Sequence, residues 1–375
     1  MKLRICMITP EYPPKCAGIG NYVYNLSEKL SELGHTVAVI TRGSWKRVRI
    51  EDLDGIRVYR ERFIPIYPLH VRLHGVFLKS LLKSIGNEFD VIHGHSPLIP
   101  APRCNVPNVL TFHTTCKQEA RTFYEIKDFY SLYMRRLIKF HIQNEFDCIK
   151  LANSITAVGS GVAKELAAEY GLNSSRVAVI RNGVNTNIFT PKFDREGVKI
   201  LFTGRLVYRK GLVDLIKSAE YICKEYPSAS FTIIGDGPLR PTLEKMAHEL
   251  HLEDNFSFLG FLPREELIHY YQNETVYVLP AYYEGLPTTV LEAMSCGMPV
   301  VATDIPGPAD AVVNGETGFL VPPQEPKLLA DCVLKLLGDK NLRQKMGKAG
   351  RERVEKQFTW DMVAQRVLAT YSGIL

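Results

Sequence analysis

The chain has 375 residues, 46% of them apolar and 23% charged. That is enough for two or three cores of ordinary globular composition, and it excludes a disordered chain, a collagen-like repeat and a disulfide-stapled mini-protein. The net charge of +6 is uneven: residues 1–190 carry 25 Lys and Arg against 16 Asp and Glu, or +9, and residues 191–375 carry 21 against 24, or −3. A basic first half suits phosphorylated substrates or an anionic membrane face, and the total is too small to point to nucleic acid.

The first apolar run, Leu3 to Thr9, reads as a buried strand. A Pro- and Gly-rich loop, Pro10 to Gly20, leads into a helix over Asn21 to Leu33, with Val23, Leu26, Leu30 and Leu33 on one face and Gly34 at its C-terminal stop. Strands follow at Thr36–Thr41, Asp90–His93, Asn108–Phe112 and Ser154–Val158. A loop spans 182–197, and the pattern then restarts with strands at Val198–Phe202, Phe231–Ile234, Phe256–Leu259, Val276–Leu279 and Val300–Thr303. Helical stretches over about 212–226, 238–250, 264–272, 288–295, 327–337 and 342–357 separate or follow these strands, and a last helix lies beyond Phe358. Such alternation predicts an α/β protein with two doubly wound, Rossmann-like domains over 1–190 and 191–358, facing across a cleft.

No stretch approaches the ~20 apolar residues of a spanning helix. The run Ile5 to Ile8 is too short for a signal peptide, so a cytoplasmic protein is expected. The eight cysteines contain no Cys-x-x-Cys pair, which favours idle thiols over a metal site or a disulfide framework. Asp52-Leu-Asp54 lies in a charged turn, Glu51 to Gly55, and reads as solvated rather than as a metal ligand pair. The segment Lys117 to Lys150 mixes Tyr124, Phe129, Tyr130, Leu132 and Tyr133 with Arg135, Arg136 and Lys139. It fits either a packing helix with a basic face or a peripheral contact with an anionic membrane.

Ligands of open α/β sheets sit outside the carboxyl ends of the strands, so the loops there are where chemistry is expected. Tyr283 to Glu292 follows one such strand and runs into a helix that starts near Pro287 and Thr288. A helix start is an anion site, and Glu292, in the second turn or beyond, is placed for a hydroxyl-rich group attached to that anion. A solvated Glu284 and an ordinary helix-face Glu292 are the simpler alternative. Phe202 to Gly211 ends a strand and supplies Arg205, Arg209 and Lys210, which suit a diphosphate or are solvated surface charge. Gly18-Ile-Gly20 lets backbone approach a phosphate but lacks the spacing of a dinucleotide fingerprint. His113 ends a buried strand and, like His93 and His95, is either a hydrogen-bonded structural group or part of a site. The turns Gly235-Asp-Gly237 and Gly260-Phe-Leu-Pro263 are plain strand-to-helix turns or readers of a base edge.

In this order the glycine loop, His113, Gly204-Arg205 with Lys210, and Glu284 spaced from Glu292 with Ala293 to Val301 after it resemble the retaining glycosyltransferases of family 4, which have the GT-B fold. The resemblance covers nearly the whole chain and departs at Gly18-Ile-Gly20, where many members have adjacent glycines. It implies that the second domain takes a nucleotide-diphosphate sugar. Gly18, Arg205, Arg209 and Lys210 would hold the diphosphate, Glu292 the ribose, and Phe261 and Leu262 the base. Glu284 and the backbone of Gly285, Leu286, Pro287 and Thr288 would hold the sugar and distal phosphate. His113 and Glu284 would stand at the reacting sugar. The acceptor, a glycan, a lipid-linked group or a polyol, would lie on the first domain, and residues 359–375 would pack back onto it. Cations and a helix N-terminus can stabilise the leaving diphosphate, so no metal and no other cofactor is required. An epimerase or hydrolase of the same architecture, or a non-catalytic nucleotide-sugar binder, is the alternative.

Overall fold

The computed structural model describes residues 2–14, 18–122, 129–173 and 176–375; the side chains at 122 and 129–136 lie outside that description. The membrane reading of the 117–150 segment rests largely on Tyr124 and on side chains from 129 to 136, all outside it. No described helix is long and apolar enough to cross a membrane.

The chain forms two compact units, Met1–Asn182 with Trp360–Leu375, and Gly183–Thr359. The boundary falls eight residues before the one expected at 190. The reason is that the Arg351 guanidinium donates to the carbonyls of Thr186 and Phe189, and the Val184 N–H donates to Phe358 O, tying 183–190 to the second unit.

The first unit holds strands β1 Arg4–Ile8, β2 Thr36–Arg42, β3 Arg49–Leu53, β4 Ile56–Glu61, β5 Val91–Ser96, β6 Asn108–Phe112, β7 Ser154–Ala157 and β8 Val177–Val179. Its helices are α1 Gly18–Glu32, α2 His70–Ile85, α3 Cys116–Thr122, α4 Phe129–Leu151 and α5 Ser160–Tyr170. The sheet order is β3-β4-β2-β1-β5-β6-β7-β8, parallel except for the β3–β4 hairpin. Central strands such as Ile5–Ile8 and Val39–Ile40 are buried on both faces, which is why they read as unbroken apolar runs rather than alternating ones. The expected charged turn narrows to Asp54-Gly55, the tip of the 49–61 hairpin, with Glu51 to Leu53 in β3; both tip residues are at positive φ, as a two-residue hairpin turn requires. Helix α1 takes in Gly18 and Gly20, which were expected in the loop. Val23, Leu26 and Leu30 are buried, but Leu33 lies past the helix end and is 48% exposed.

The second unit holds β9 Lys199–Thr203, β10 Ser230–Ile234, β11 Phe256–Gly260, β12 Val276–Leu279, β13 Val300–Thr303 and β14 Gly318–Val321. Its helices are α6 Leu212–Glu225, α7 Arg240–Glu249, α8 Arg264–Asn273, α9 Thr288–Ser295, α10 Pro306–Ala311, α11 Pro326–Gly338 and α12 Lys340–Gln357. The order β11-β10-β9-β12-β13-β14 is wholly parallel. The chain winds outward from β9, returns, and winds the other way from β12. The strand order therefore reverses between β9 and β12, which is where such sheets open a crevice at their carboxyl ends.

Helix α13, Trp360–Ser372, belongs to the first unit. Its Trp360, Val363, Ala364, Val367 and Tyr371 share one core with Tyr22, Val23 and Leu26 of α1 and Ile5 and Met7 of β1.

Candidate active site

In the second unit the loops after β9 and β12 are fastened to each other. The Tyr282 N–H donates to Arg209 O at 2.8 Å, and the Tyr282 hydroxyl donates to Asp214 at 2.9 Å. Gly211, at φ +69, makes this approach possible: a Cβ there would fall 1.8 Å from Pro280 O. Only glycine has both the left-handed backbone and the missing side chain that the contact demands.

The fastening brings Lys210 and Arg209 onto Glu284. Glu284 Oε1 accepts from Arg209 at 3.1 Å and from Lys210 Nζ at closer range, and the Lys210 and Glu284 side chains are each only 10% exposed. Burial pushes the Glu284 carboxyl up, but Lys210 and Arg209 outweigh it and hold the group below the usual carboxylate range. Burial lowers the Lys210 ammonium, and Arg209 and Arg205 add to that, against the pull of Glu284. The sequence reading separated these roles, giving the cations to a diphosphate and Glu284 to a sugar. Here they form one cluster, so any anion that engages Lys210 or Arg209 competes with Glu284 for them. Arg205 is exposed at the end of β9, close enough for its charge to act on Lys210.

From Glu284 the chain runs through Gly285, Leu286 and Pro287 into α9, which no described side chain caps. Its first amides, from Thr288 on, give the positive end of a helix. Gly307 lets α10 sit against this loop, since a Cβ would lie 2.5 Å from Gly285 O. Glu292 is inside α9, as its spacing predicts. Its Oε2 accepts from the Tyr271 hydroxyl at 2.8 Å, and the Tyr271 oxygen also lies 2.7 Å from the hydroxyl of Thr203 at the end of β9. Burial pushes the Glu292 carboxyl up, against the Tyr271 hydrogen bond and the charge of Arg264. Lys210 flanks the same strand end, with Nζ 3.6 Å from where a Gly204 Cβ would stand. Lys210, Arg209, Glu284, the α9 start and Glu292 thus surround the carboxyl ends of β9 and β12, with Arg205 at the rim.

Phe261 and Leu262 stand apart from this group, in the loop after β11, two strands away from β9. Phe261 is 80% exposed. The Gly235 N–H donates to Gly260 O at 2.7 Å, so the two turns that looked unrelated in sequence are one structure.

Sequence reasoning missed Tyr271 and Arg195. Arg195 is 4% exposed, and its guanidinium donates to the carbonyls of Tyr271, Glu274 and Cys296. It fixes the backbone that aims Tyr271 at Glu292. An Arg in a loop and a Tyr in a polar helix carry no local signal of this kind.

In the first unit His113 follows β6 and donates its N–H to Ser96 O at 3.1 Å. Its Nε2 lies 3.3 Å from His95 Nδ1, and its ring stands edge-on to Tyr22 at 4.7 Å. His95 stacks on His93 at 4.3 Å, and His93 Nδ1 meets the Tyr371 hydroxyl at 2.7 Å. Burial lowers His93 and His113 to about 3 and His95 well below its ordinary value, with mutual repulsion adding for His93 and His95. All three are neutral at pH 7. Gly18 is exposed at the start of α1, with open space where a Cβ would point.

Two family signatures match the chain. That described as glycosyl transferases group 1 spans residues 184–353, and that described as glycosyltransferase family 4 spans 17–188. An uncharacterized glycosyltransferase of Methanocaldococcus jannaschii is 29% identical over 98% of both chains. The glycogen synthase of Mycobacterium tuberculosis is 28% identical over 98% of this chain and 94% of its own. Among solved structures, sucrose-phosphate synthase from Thermosynechococcus elongatus has a TM-score of 0.83 at 24% identity, covering 99% of each chain. Anabaena HepE in complex with UDP and glucose has a TM-score of 0.76 at 16% identity, covering 99% of this chain and 100% of its own.

Proposed function

The chain belongs to the group 1, family 4 glycosyltransferases and has the GT-B fold, and from that premise we propose that it moves a hexose or N-acetylhexosamine from a nucleotide-diphosphate sugar to an acceptor hydroxyl, with retention at the anomeric carbon. The observation that carries this reading is the convergence of Lys210, Arg209, Glu284 and the uncapped start of α9 on one strand-end crevice of the second unit.

Cleavage of the bond from the anomeric carbon to the diphosphate builds negative charge on the departing oxygen. Preorganised cations and helix amides in a water-poor site stabilise such charge strongly. In the proposed reaction Lys210 and Arg209 turn from Glu284 toward the diphosphate, with Arg205 beside them. Glu284, released from part of its ion pairing, accepts from the sugar hydroxyls, and the amides from Gly285 to Thr288 hold the distal phosphate. Glu292 accepts from the ribose hydroxyls while Tyr271 fixes its orientation. Phe261 and Leu262 offer an apolar face to the base, and Gly18 adds a backbone contact to the phosphates. His113, neutral in its buried setting, binds a hydroxyl of the transferred sugar. The leaving phosphate takes the acceptor's proton on the face it departs from, so no metal ion and no covalent enzyme intermediate is needed. The acceptor is held by the first unit.

HepE, a fold neighbour, was solved with UDP-glucose, which supports a nucleotide-sugar donor. The test is a panel of UDP-, GDP- and ADP-sugars scored by thermal shift, since a ligand that binds the native state raises its stability. The stabilising donor is then incubated with polyol, glycan and lipid acceptors, and the anomeric configuration of the product is read by NMR. Stabilisation by one donor and an axial-to-axial or equatorial-to-equatorial outcome is expected. No stabilisation by any nucleotide sugar would refute the reading.

A further inference from the structure

The carboxylate of Glu145, on α4, takes no part in the crevice of the second unit. It is 1% exposed and forms no ion pair among the described residues. Three donors from three other elements converge on it. Both of its oxygens accept from the Cys116 N–H, at 3.1 and 3.0 Å. Oε1 also accepts from the Ser96 hydroxyl at 3.3 Å, and Oε2 from the Tyr170 hydroxyl. Ser96 closes β5, Cys116 opens α3 and Tyr170 closes α5.

These donors bracket His113. Its N–H donates to the carbonyl of Ser96, the residue whose hydroxyl reaches Glu145, and Cys116 follows three residues later. Between them the Thr115 hydroxyl donates to Glu165 of α5 at 3.0 Å and accepts from the Gln118 N–H at 3.3 Å. The turn from His113 to Cys116 is thus fastened to α4 and to α5 through two carboxylates. The residue type at 145 matters. An ionised carboxylate offers acceptors alone, enough for three donors, whereas an amide would turn N–H groups of its own toward them. A charge at this depth with no cation beside it is costly, and buried carboxyls of this kind gather at functional sites.

We propose that Glu145 is a positioning residue for the transfer reaction, acting through His113 by fixing the turn that carries it. The inference rests on the reading of His113 as a group that binds the transferred sugar. Protonation of Glu145 turns an acceptor into an O–H donor among three donors, so the turn must shift. Burial is the main reason that the Glu145 carboxyl is pushed up to about 7; the charge of Glu119 adds to it, against the hydrogen bonds from Tyr170 and Cys116. Of the other groups facing it, burial pushes the thiols of Cys116 and Cys148 and the Tyr170 hydroxyl up, so they stay neutral there, and the Lys117 ammonium lies over the Tyr170 ring at 4.5 Å. His113 itself titrates at about 3, far below this range.

The test uses the full chain with histidine labelled at Cε1 and glutamate at Cδ, followed by NMR from pH 5.5 to 8.5. Glu145→Gln and His113→Gln assign the two resonances. The His113 signal is expected to move with the same midpoint as the Glu145 carboxyl, although its own ring does not titrate there, and to lose that movement in Glu145→Gln. Tyr170→Phe removes a hydrogen bond to the ionised form and should raise both midpoints together. In steady-state assays Glu145→Gln is expected to lower kcat between about tenfold and a hundredfold, the scale of a small misplacement at a reacting group. Its affinity for the nucleoside diphosphate should stay unchanged. Wild-type kcat should fall as the pH drops through about 7, and the variant should lack that limb. The proposal is overturned by a His113 signal without that inflection, by an inflection that survives Glu145→Gln, or by a Glu145→Gln variant of lower Tm whose kcat stays within twofold of wild type. The wild-type and Tyr170→Phe titrations decide the matter if Glu145→Gln fails to fold. Failure of every nucleotide sugar to bind would instead refute the donor reading, and the NMR result does not depend on it.

Discussion

Replacing Lys210 by Met probes the candidate site at its most coupled point. The two side chains of the Lys210–Glu284 pair are each 10% exposed. Removing one partner of a buried pair costs about 3–5 kcal/mol when the other charge is left alone. Here Arg209 remains 3.1 Å from the same Glu284 oxygen, so a smaller loss, about 2 kcal/mol, is expected. For a body of this size each kcal/mol moves Tm by about 2–4 °C, which predicts a drop of about 4–8 °C in the transition of the second unit. Catalysis should suffer separately. Loss of one transition-state charge partner lowers kcat/KM about a hundredfold, or about 2.7 kcal/mol. Glu284→Gln and the double variant complete a cycle, with a coupling of at least about 1 kcal/mol expected for groups in contact. The assays are thermal unfolding and steady-state release of nucleoside diphosphate. Unchanged kcat/KM in Lys210→Met removes the residue from the mechanism, and strict additivity shows that the pair carries no energy.

Tyr271→Phe leaves the packing but removes the hydrogen bond to Glu292; KM for the donor should rise about tenfold with Tm lowered by only a few degrees, the size of one hydrogen bond to a charged group. Gly211→Ala places a methyl 1.8 Å from Pro280 O, so the second unit is expected to lose its cooperative thermal transition, whereas Gly18→Ala, with open space at its Cβ, should leave that transition in place. The buried imidazoles make stability depend on pH: His93 and His113 titrate at about 3 in the folded chain, against about 6.5 when unfolded. Their contribution is complete above pH 6.5 and is lost as the pH falls toward 3, with a slope of about 1.4 kcal/mol per pH unit for each such His near pH 5. His93→Gln should flatten the acid limb measured by denaturant unfolding at pH 4.5–6, and an unaltered limb would show that His93 is not held neutral.

The reach of local pattern is clear at particular residues. Glu292 falls inside α9 because its distance from Pro287 in sequence already fixes it there, and the runs at Ile5–Ile8 and Val276–Leu279 are buried strands because only a two-sided sheet can hide them. Helix α2, the edge strand β3 and its neighbour β4 were not legible: α2 puts His70 and His74 on its buried face, and β3 is charged and mostly exposed, as edge strands are. Leu33 was misplaced because the helix stops one residue before it.

By itself the sequence determined the alternation of strands and helices, the residues at the strand ends, and hence the family. It could do so because periodicity and strand-end loops are local properties of the chain. The tertiary structure alone decided that Glu284 is the counter-ion of Lys210 and Arg209, that Tyr271 and Arg195 stand behind Glu292, and that Tyr371 reaches back to His93. Those pairings join residues far apart in the chain, and which partners meet is set by the strand order and by close backbone approaches such as that at Gly211, neither of which leaves a mark in any short stretch of sequence.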